Sequence, residues 1–180
     1  MPLKKIVIIG PESTGKSTLC EGLAAHFGTE WVPEYAREYL LTHGKQYQFP
    51  DLLTIARGQL ALEESYSDRL RSRGEDGVLF IDTDMYVMKI WGEFVFGRCD
   101  TWILDQIVRR KYDGYLLCKT DLPWTADELR EYPDDGPRET LYHMYKDAMV
   151  NQRTPWVEVG GLSEERLKFA IDAVQTILVQ

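Results

Sequence analysis

Apolar and polar positions change period repeatedly along the chain, and each change marks an element. The β-branched run Lys5-Ile6-Val7-Ile8-Ile9 reads as a buried parallel strand. Over residues 17–27 the period lengthens, and Leu19, Leu23, Ala24 and Phe27 fall at helical spacing. Glu30-Trp31-Val32-Pro33 is a second, short strand whose proline suits a sheet edge or a strand end. A helix opens at Glu34-Tyr35 and stops near His43-Gly44. The long helix after it begins at Phe49-Pro50-Asp51, with proline and an acid in its first turn, and ends near Gly74. Its buried stripe runs through Leu52, Ile55, Gln59, Leu62, Tyr66 and Leu70. Gln59 is the polar member of that stripe and either bonds a buried backbone group or faces a ligand.

Val78-Leu79-Phe80-Ile81-Asp82 is the clearest buried strand after the first. Residues 84–91 read as a helix on Met85, Met88 and Trp91, and residues 92–100 as an irregular, aromatic-rich connection. An amphipathic helix over 101–111 and a fourth strand, Tyr115-Leu116-Leu117-Cys118, follow. Residues 121–138 are polar, punctuated by prolines and too long for a turn. They lead into a helix over 139–151, a fifth strand over 154–159, and a last helix capped by Ser163. Strands alternating with helices predict an α/β fold, a five-stranded parallel sheet flanked by helices, and 180 residues suit one domain.

Composition narrows the function. With 44% apolar and 28% charged residues the chain is ordinary for a globular protein. Its net charge of −8, without a basic tract, argues against nucleic acid as the main partner. Cys20, Cys99 and Cys118 are odd in number and lack C-x-x-C spacing, so neither a disulfide framework nor a zinc site is expected. His26, His43 and His143 share no ligand spacing. No apolar run approaches the length of a membrane span, and the N-terminus leads directly into a strand without a signal peptide, so a cytoplasmic protein is expected. The sequence does not decide the oligomeric state.

The chemistry begins between the first strand and the first helix. Gly10-Pro11-Glu12-Ser13-Thr14-Gly15-Lys16-Ser17-Thr18 fits G-x-x-x-x-G-K-[ST], the phosphate-cradling P-loop, in its required strand–loop–helix context. Gly10 and Gly15 permit backbone angles that converge N–H groups on an anion, and the helix N-terminus adds the positive end of its dipole. Lys16 is expected to reach the β- and γ-phosphates of ATP, and the Ser17 hydroxyl to ligate Mg²⁺. A glycine turn that happens to hold a lysine is the plain alternative, which the flanking elements disfavour.

Acids stand at two further strand ends. Asp82 closes its strand where P-loop proteins place a Mg²⁺ carboxylate, while Thr83 and Asp84 suit a helix cap as well as a ligand. Glu34 and Arg37 follow the second strand, either as a solvated first turn or as ligand-facing groups. The segment 121–138 reads as a lid whose Arg130 and Arg138 either neutralise phosphate charge or pair with neighbouring acids on the surface. No base-reading N-K-x-D of a GTPase occurs, and an AAA+ motor calls for a larger chain with a second helical subdomain. What remains is a small P-loop kinase.

In this order the P-loop, Glu34-Tyr35-Ala36-Arg37-Glu38-Tyr39, Phe80-Ile81-Asp82-Thr83-Asp84, and Asp121-Leu122-Pro123-Trp124 with Asp127, Leu129-Arg130 and Arg138 resemble the ribosylnicotinamide kinase domains of the NadR family over nearly the whole chain. The P-loop is generic, and the other segments are more specific. The resemblance implies ATP- and Mg²⁺-dependent phosphorylation of the 5′-hydroxyl of nicotinamide riboside to nicotinamide mononucleotide, in NAD salvage. It implies Lys16 and Ser17 at the phosphates and metal, Arg130 and Arg138 as lid cations, and Glu34, Arg37, Asp82 and Asp84 on the acceptor and metal side. Tyr35 and Gln59 join the acceptor side, and the base is Glu34, by analogy with deoxynucleoside kinases, or Asp82. A cationic pyridinium suits aromatic faces, for which Trp31, Tyr35, Tyr39, Tyr66, Tyr86 and Trp91 are available. The family often has a tryptophan directly before E-Y-x-R-E-Y; here that residue is Pro33 and the nearest tryptophan is Trp31. The chain shows no segment like the family's DNA-binding or adenylyltransferase parts, so neither repression nor NAD synthesis is expected of it. Two competing readings are a kinase for another nucleoside or small alcohol, and an ATP-binding switch whose turnover no acceptor stimulates.

Overall fold

In the computed structural model, residues 3–74 and 77–179 are described. The first two residues, read above as leading directly into a strand, lie outside them. The elements run β1 (Lys4–Ile9), α1 (Lys16–Phe27), β2 (Trp31–Val32), α2 (Tyr35–His43), α3 (Phe49–Ser72), β3 (Val78–Asp82), α4 (Met85–Phe96), α5 (Thr101–Arg109), β4 (Gly114–Cys118), α6 (Asp135–Val150), β5 (Trp156–Val159) and α7 (Ser163–Leu178). The five strands form one parallel sheet in the order β2-β3-β1-β4-β5.

Alternation along the strands divides the core. Ile6 and Ile8 of β1 join Leu19 and Leu23 of α1 and Ala170 and Val174 of α7 on one face. Val7 and Ile9 join Ile90 of α4 and Leu141 and Tyr145 of α6 on the other. A third cluster packs α2 through Ala36, α3 through Ile55, and α4 through Met88 against Ile103 of α5. β1, β3 and β4 lie within the sheet, and β3 and β4 are buried at every position, which explains their unbroken apolar runs. Register brings Ile8 level with Asp82, and Cys118 level with Val159. The parallel arrangement therefore delivers the P-loop, the turn after β2, Asp82 and the segment after β4 to one edge of the sheet.

Beside shifts of two residues at the end of α5 and the start of β5, three boundaries differ from the sequence reading. α4 does not stop near Trp91 but continues to Phe96. Gly92 permits this because the chain folds back against it: a Cβ there would stand 2.7 Å from the Arg98 carbonyl oxygen. α6 begins at Asp135, ahead of the expected start, because Pro137 is tolerated in a first turn where no N–H is needed. Arg138 consequently sits on a helix and not on the irregular segment. The N-cap of α7 is Leu162, without a side-chain cap bond, and Ser163 is the first helical residue at φ 42°. Among the described residues no helix is long and apolar enough to cross a membrane.

Gly92→Ala is expected to destabilise the protein by about 1–3 kcal/mol, since the added methyl meets backbone that must shift. A lower urea midpoint with an unchanged slope would register it, and an unchanged midpoint would show that the 97–99 turn yields freely.

Candidate active site

The P-loop depends on left-handed backbone. Gly10 has φ 144°, and Gly15, the N-cap of α1, has φ 75°. A Cβ on Gly10 would lie 2.9 Å from the Cys118 carbonyl oxygen, so the loop can leave β1 only at a glycine. Inside the loop the buried Thr14 hydroxyl donates to the Pro11 carbonyl at 2.7 Å, and Lys16 Nζ donates to the same oxygen at 2.9 Å. Two buried arginines brace the far side. Arg138 Nη2 donates to the carbonyls of Ser13 at 3.4 Å and Leu122 at 3.2 Å. Arg166 Nη2 donates to the Thr14 carbonyl at 2.8 Å, while its Nη1 donates to Asp121 at 2.8 Å and to the Gly161 carbonyl at 3.1 Å. Sequence reasoning missed Arg166. Its signal was present: it opens the buried stripe of α7 that continues through Ala170, Val174 and Ile177, a position where a cation needs a partner.

Asp82 is fully buried at the end of β3. Its Oδ2 accepts from the Ser17 hydroxyl at 2.5 Å and its Oδ1 from Thr83 at 3.3 Å. Burial raises its carboxyl above the usual range against the pull of Lys16 and the hydroxyl bonds. Glu34 is half-buried at the N-cap position of α2, where its side chain makes no cap bond. Burial first, and then the Asp82 charge, push Glu34 up to about 7, although Lys16 and Arg37 oppose them.

Asp84 is the N-cap of α4: Oδ1 accepts from the amides of Tyr86 at 3.0 Å and Val87 at 3.4 Å, and Oδ2 accepts from the Tyr115 hydroxyl at 2.9 Å. Its carboxyl, expected on the acceptor side, is engaged by cap and core bonds, and burial pushes it up to about 7. Gln59 takes the first of its two readings. Its Oε1 accepts from the Tyr35 amide at 2.7 Å, and its Nε2 donates to the carbonyls of Pro33 at 3.3 Å and Asp82 at 3.4 Å. It thus ties the turn carrying Glu34 to the end of β3. Tyr35, also expected at the ligand, lays its ring on Gly58 so closely that a Cβ there would stand 2.0 Å from its Cε1.

The segment between β4 and α6 covers the P-loop. Arg37 grips Asp127 with both terminal nitrogens, at 3.1 and 3.0 Å, which holds the Asp127 carboxyl below its ordinary value. The Thr125 amide donates to Ser13 Oγ at 2.9 Å. Glu12 accepts from the amides of Glu131 at 3.0 Å and Tyr132 at 2.5 Å, and from the Trp124 indole at 3.4 Å. Arg130 lines the cleft beneath this segment, its guanidinium donating to the Thr125 carbonyl. Arg138, its expected companion, is spent instead on the carbonyls behind the loop, as its place in the first turn of α6 requires.

The cleft measures about 510 Å³, within the range of small-molecule sites. The whole run from Gly10 to Thr18 forms one wall, and Glu34, Arg37, Trp91 and Arg130 stand on the others. Of the aromatic residues anticipated, Trp31 and Trp91 reach the cleft. Tyr39 stacks on His43 at 4.2 Å, Tyr66 lies under Arg69, and Tyr86 meets Tyr115 edge-on. Tyr47, Phe94, Tyr132 and Tyr145 line the cleft without having been singled out. Phe94 was hidden by reading residues 92–100 as irregular. Tyr47 is fixed by the Trp91 indole, which donates to its hydroxyl at 2.9 Å, and itself donates to Glu131 at 3.1 Å.

Strand order, P-loop and cleft together define a P-loop nucleotide-binding protein. The chain belongs to the family described as AAA domain, whose model matches residues 5–166. Among the described residues there is no second helical subdomain of the kind a AAA+ motor carries, so the membership concerns the P-loop core. The chain is 29% identical over 161 residues to the trifunctional NAD biosynthesis/regulator protein NadR of Escherichia coli, a match covering 87% of the chain and 38% of that relative. It thus spans well under half the length of this curated relative. A crystal structure of NadR protein in complex with NR superposes with a TM-score of 0.81 at 22% identity, over 99% of this chain and 50% of the other. Deoxyadenosine kinase from M. mycoides superposes with a TM-score of 0.62 at 14% identity, over 96% and 99%. The fold is that of the P-loop nucleoside and nucleotide kinases.

Gln59→Leu is expected to cost about 1–3 kcal/mol, because it leaves the Tyr35 amide and the Pro33 carbonyl without their partner. Denaturant unfolding measures this; a loss below a few tenths of a kcal/mol would mean that the turn re-pairs with water.

Proposed function

We propose that the protein is a ribosylnicotinamide kinase, transferring the γ-phosphoryl group of ATP to the 5′-hydroxyl of nicotinamide riboside in cytoplasmic NAD salvage. One observation carries this reading: a single cleft has the P-loop as one wall and the Glu34 carboxylate on another, so phosphate donor and hydroxyl acceptor would share one space. The similarity to NadR supports the choice of acceptor. The aromatic residues lining the cleft supply faces suited to a flat cationic ring.

In the proposed mechanism Glu34 accepts a hydrogen bond from the 5′-hydroxyl and takes its proton as the oxygen–phosphorus bond forms and the bond to the bridging oxygen of ADP breaks. A carboxyl pushed up to about 7 is well matched to that transfer near neutral pH. Lys16 and Arg130 neutralise charge on the transferred group. Asp82, buried and bonded to Ser17, serves the metal side. The pair fits Mg²⁺, because a hydroxyl and a carboxylate, both hard oxygen donors, meet at 2.5 Å beside the P-loop. Ser17 and Asp82 would hold the ion, which would supply positive charge to offset that of the phosphates.

A coupled ADP-release assay with ATP and Mg²⁺ over nicotinamide riboside, uridine, cytidine, thymidine and adenosine tests the reading. Strong turnover with nicotinamide riboside alone is expected. Turnover with another nucleoside would reassign the acceptor, and none with any would favour a switch. Lys16→Ala should lower kcat by roughly 10²-fold or more without unfolding the chain.

Glu34→Gln should lower kcat by about 10²–10⁴-fold. In the wild type, kcat/KM should rise with pH through about 7 as Glu34 ionises, and the variant should lose this limb. A wild-type profile flat from pH 5.5 to 8 would remove Glu34 as the base.

A further inference from the structure

Glu12 occupies a variable position of the P-loop, and its carboxylate is committed to neither the loop nor the first helix. All three of its bonds come from the segment between β4 and α6: the Trp124 indole at 3.4 Å, the Glu131 amide at 3.0 Å and the Tyr132 amide at 2.5 Å. Those two amides immediately follow Arg130, which lines the cleft that Lys16 also lines. A carboxylate accepting from successive backbone N–H groups holds that backbone more firmly than neutral acceptors do. The Arg130 guanidinium donates to the carbonyl of Thr125 and its backbone amide to that of Asp127 at 3.2 Å, both within the same segment, so neither bond ties it to the P-loop directly. Of the other ties of the segment, Thr125 to Ser13 and Asp127 to Arg37 lie before Arg130 in the chain, while the Tyr47 hydroxyl reaches the Glu131 side chain at 3.1 Å and leaves the amides of residues 131 and 132 to Glu12.

We propose that Glu12 is a positioning residue, which docks residues 131–132 onto the P-loop and thereby sets Arg130 over the phosphate site. The P-loop then does more than cradle phosphate: it carries the receptor for its own lid. This rests on the kinase reading for its effect on turnover, but the docking is a property of the chain alone. Phosphate bound in the loop lies beside a lid that Glu12 has already registered against the same backbone, so the Arg130 cation arrives with little reorganisation.

The test is a double-mutant cycle of Glu12→Ala and Arg130→Ala, with backbone amide exchange on the wild type and Glu12→Ala in the presence of AMP-PNP. Glu12→Ala should lower kcat roughly 10-fold or more while moving KM for nicotinamide riboside less than about 3-fold. In the Arg130→Ala background the same change should cost less than about 3-fold, because its effect passes through Arg130. The amides of residues 131 and 132 should exchange at least about 10-fold faster in Glu12→Ala, with α1 and β1 unaltered. Glu12→Gln, which keeps one acceptor oxygen, should recover part of both losses. Multiplicative losses in the cycle, or unchanged exchange at 131 and 132, would overturn the proposal. A wild type without acceptor-dependent turnover would overturn the kinase reading, while the exchange measurement would still decide the docking.

Discussion

The site rests on a backbone constraint: between β1 and α1 the chain must turn sharply enough for its amides to face inward, directly against the end of β4. Gly10 is wedged on the Cys118 carbonyl and Gly15 takes a left-handed angle to open the helix. With its N–H groups reserved, such a loop must satisfy its carbonyls elsewhere. Buried arginines from α6 and α7 supply donors to Ser13 and Thr14. They also bond Leu122 and Asp121, so the loop and the segment after β4 share the same supports.

The segment between β4 and α6, which contains no helix or strand, is held along its length. Its root is held by Arg166 and Arg138, its middle by Arg37, and its end by Glu12. These ties join the P-loop to the start of α2, since Arg37 stands one helical turn after Glu34. The Arg37–Asp127 pair stands on the wall of the cleft, which aromatic rings line within.

The sequence made the strands, their order of appearance and the P-loop legible because each is a local pattern: a run of β-branched residues, or fixed residues at fixed spacing. Asp82 could be placed because a buried strand ended on it. Roles that depend on distant partners were harder to read. Asp84 and Gln59 look like ligands in a linear chain, yet the former bonds Tyr115 across the sheet and the latter bonds Pro33 and Tyr35 across two elements. Arg138 was assigned to the lid because proline and glycine usually end a regular element, whereas here Pro137 lies in the first turn of one. Arg166 lies far from the loop in sequence and near it in space. The cleft's tyrosines came from three separate segments with no common spacing.

The shortness of β2 has a consequence of its own. Its ladder with β3 ends at Val32, and beyond it the primary amide of Gln59 behaves as a substitute peptide group: its oxygen receives the N–H of Tyr35 and its nitrogen serves the carbonyl of Pro33. The sheet is in effect extended past its last strand residue by a side chain borrowed from α3. Glu34 lies between the two residues so held, with its neighbours immobilised on either side and its own carboxylate left out of the ladder. Backbone anchoring and an uncommitted side chain thereby sit within three consecutive residues.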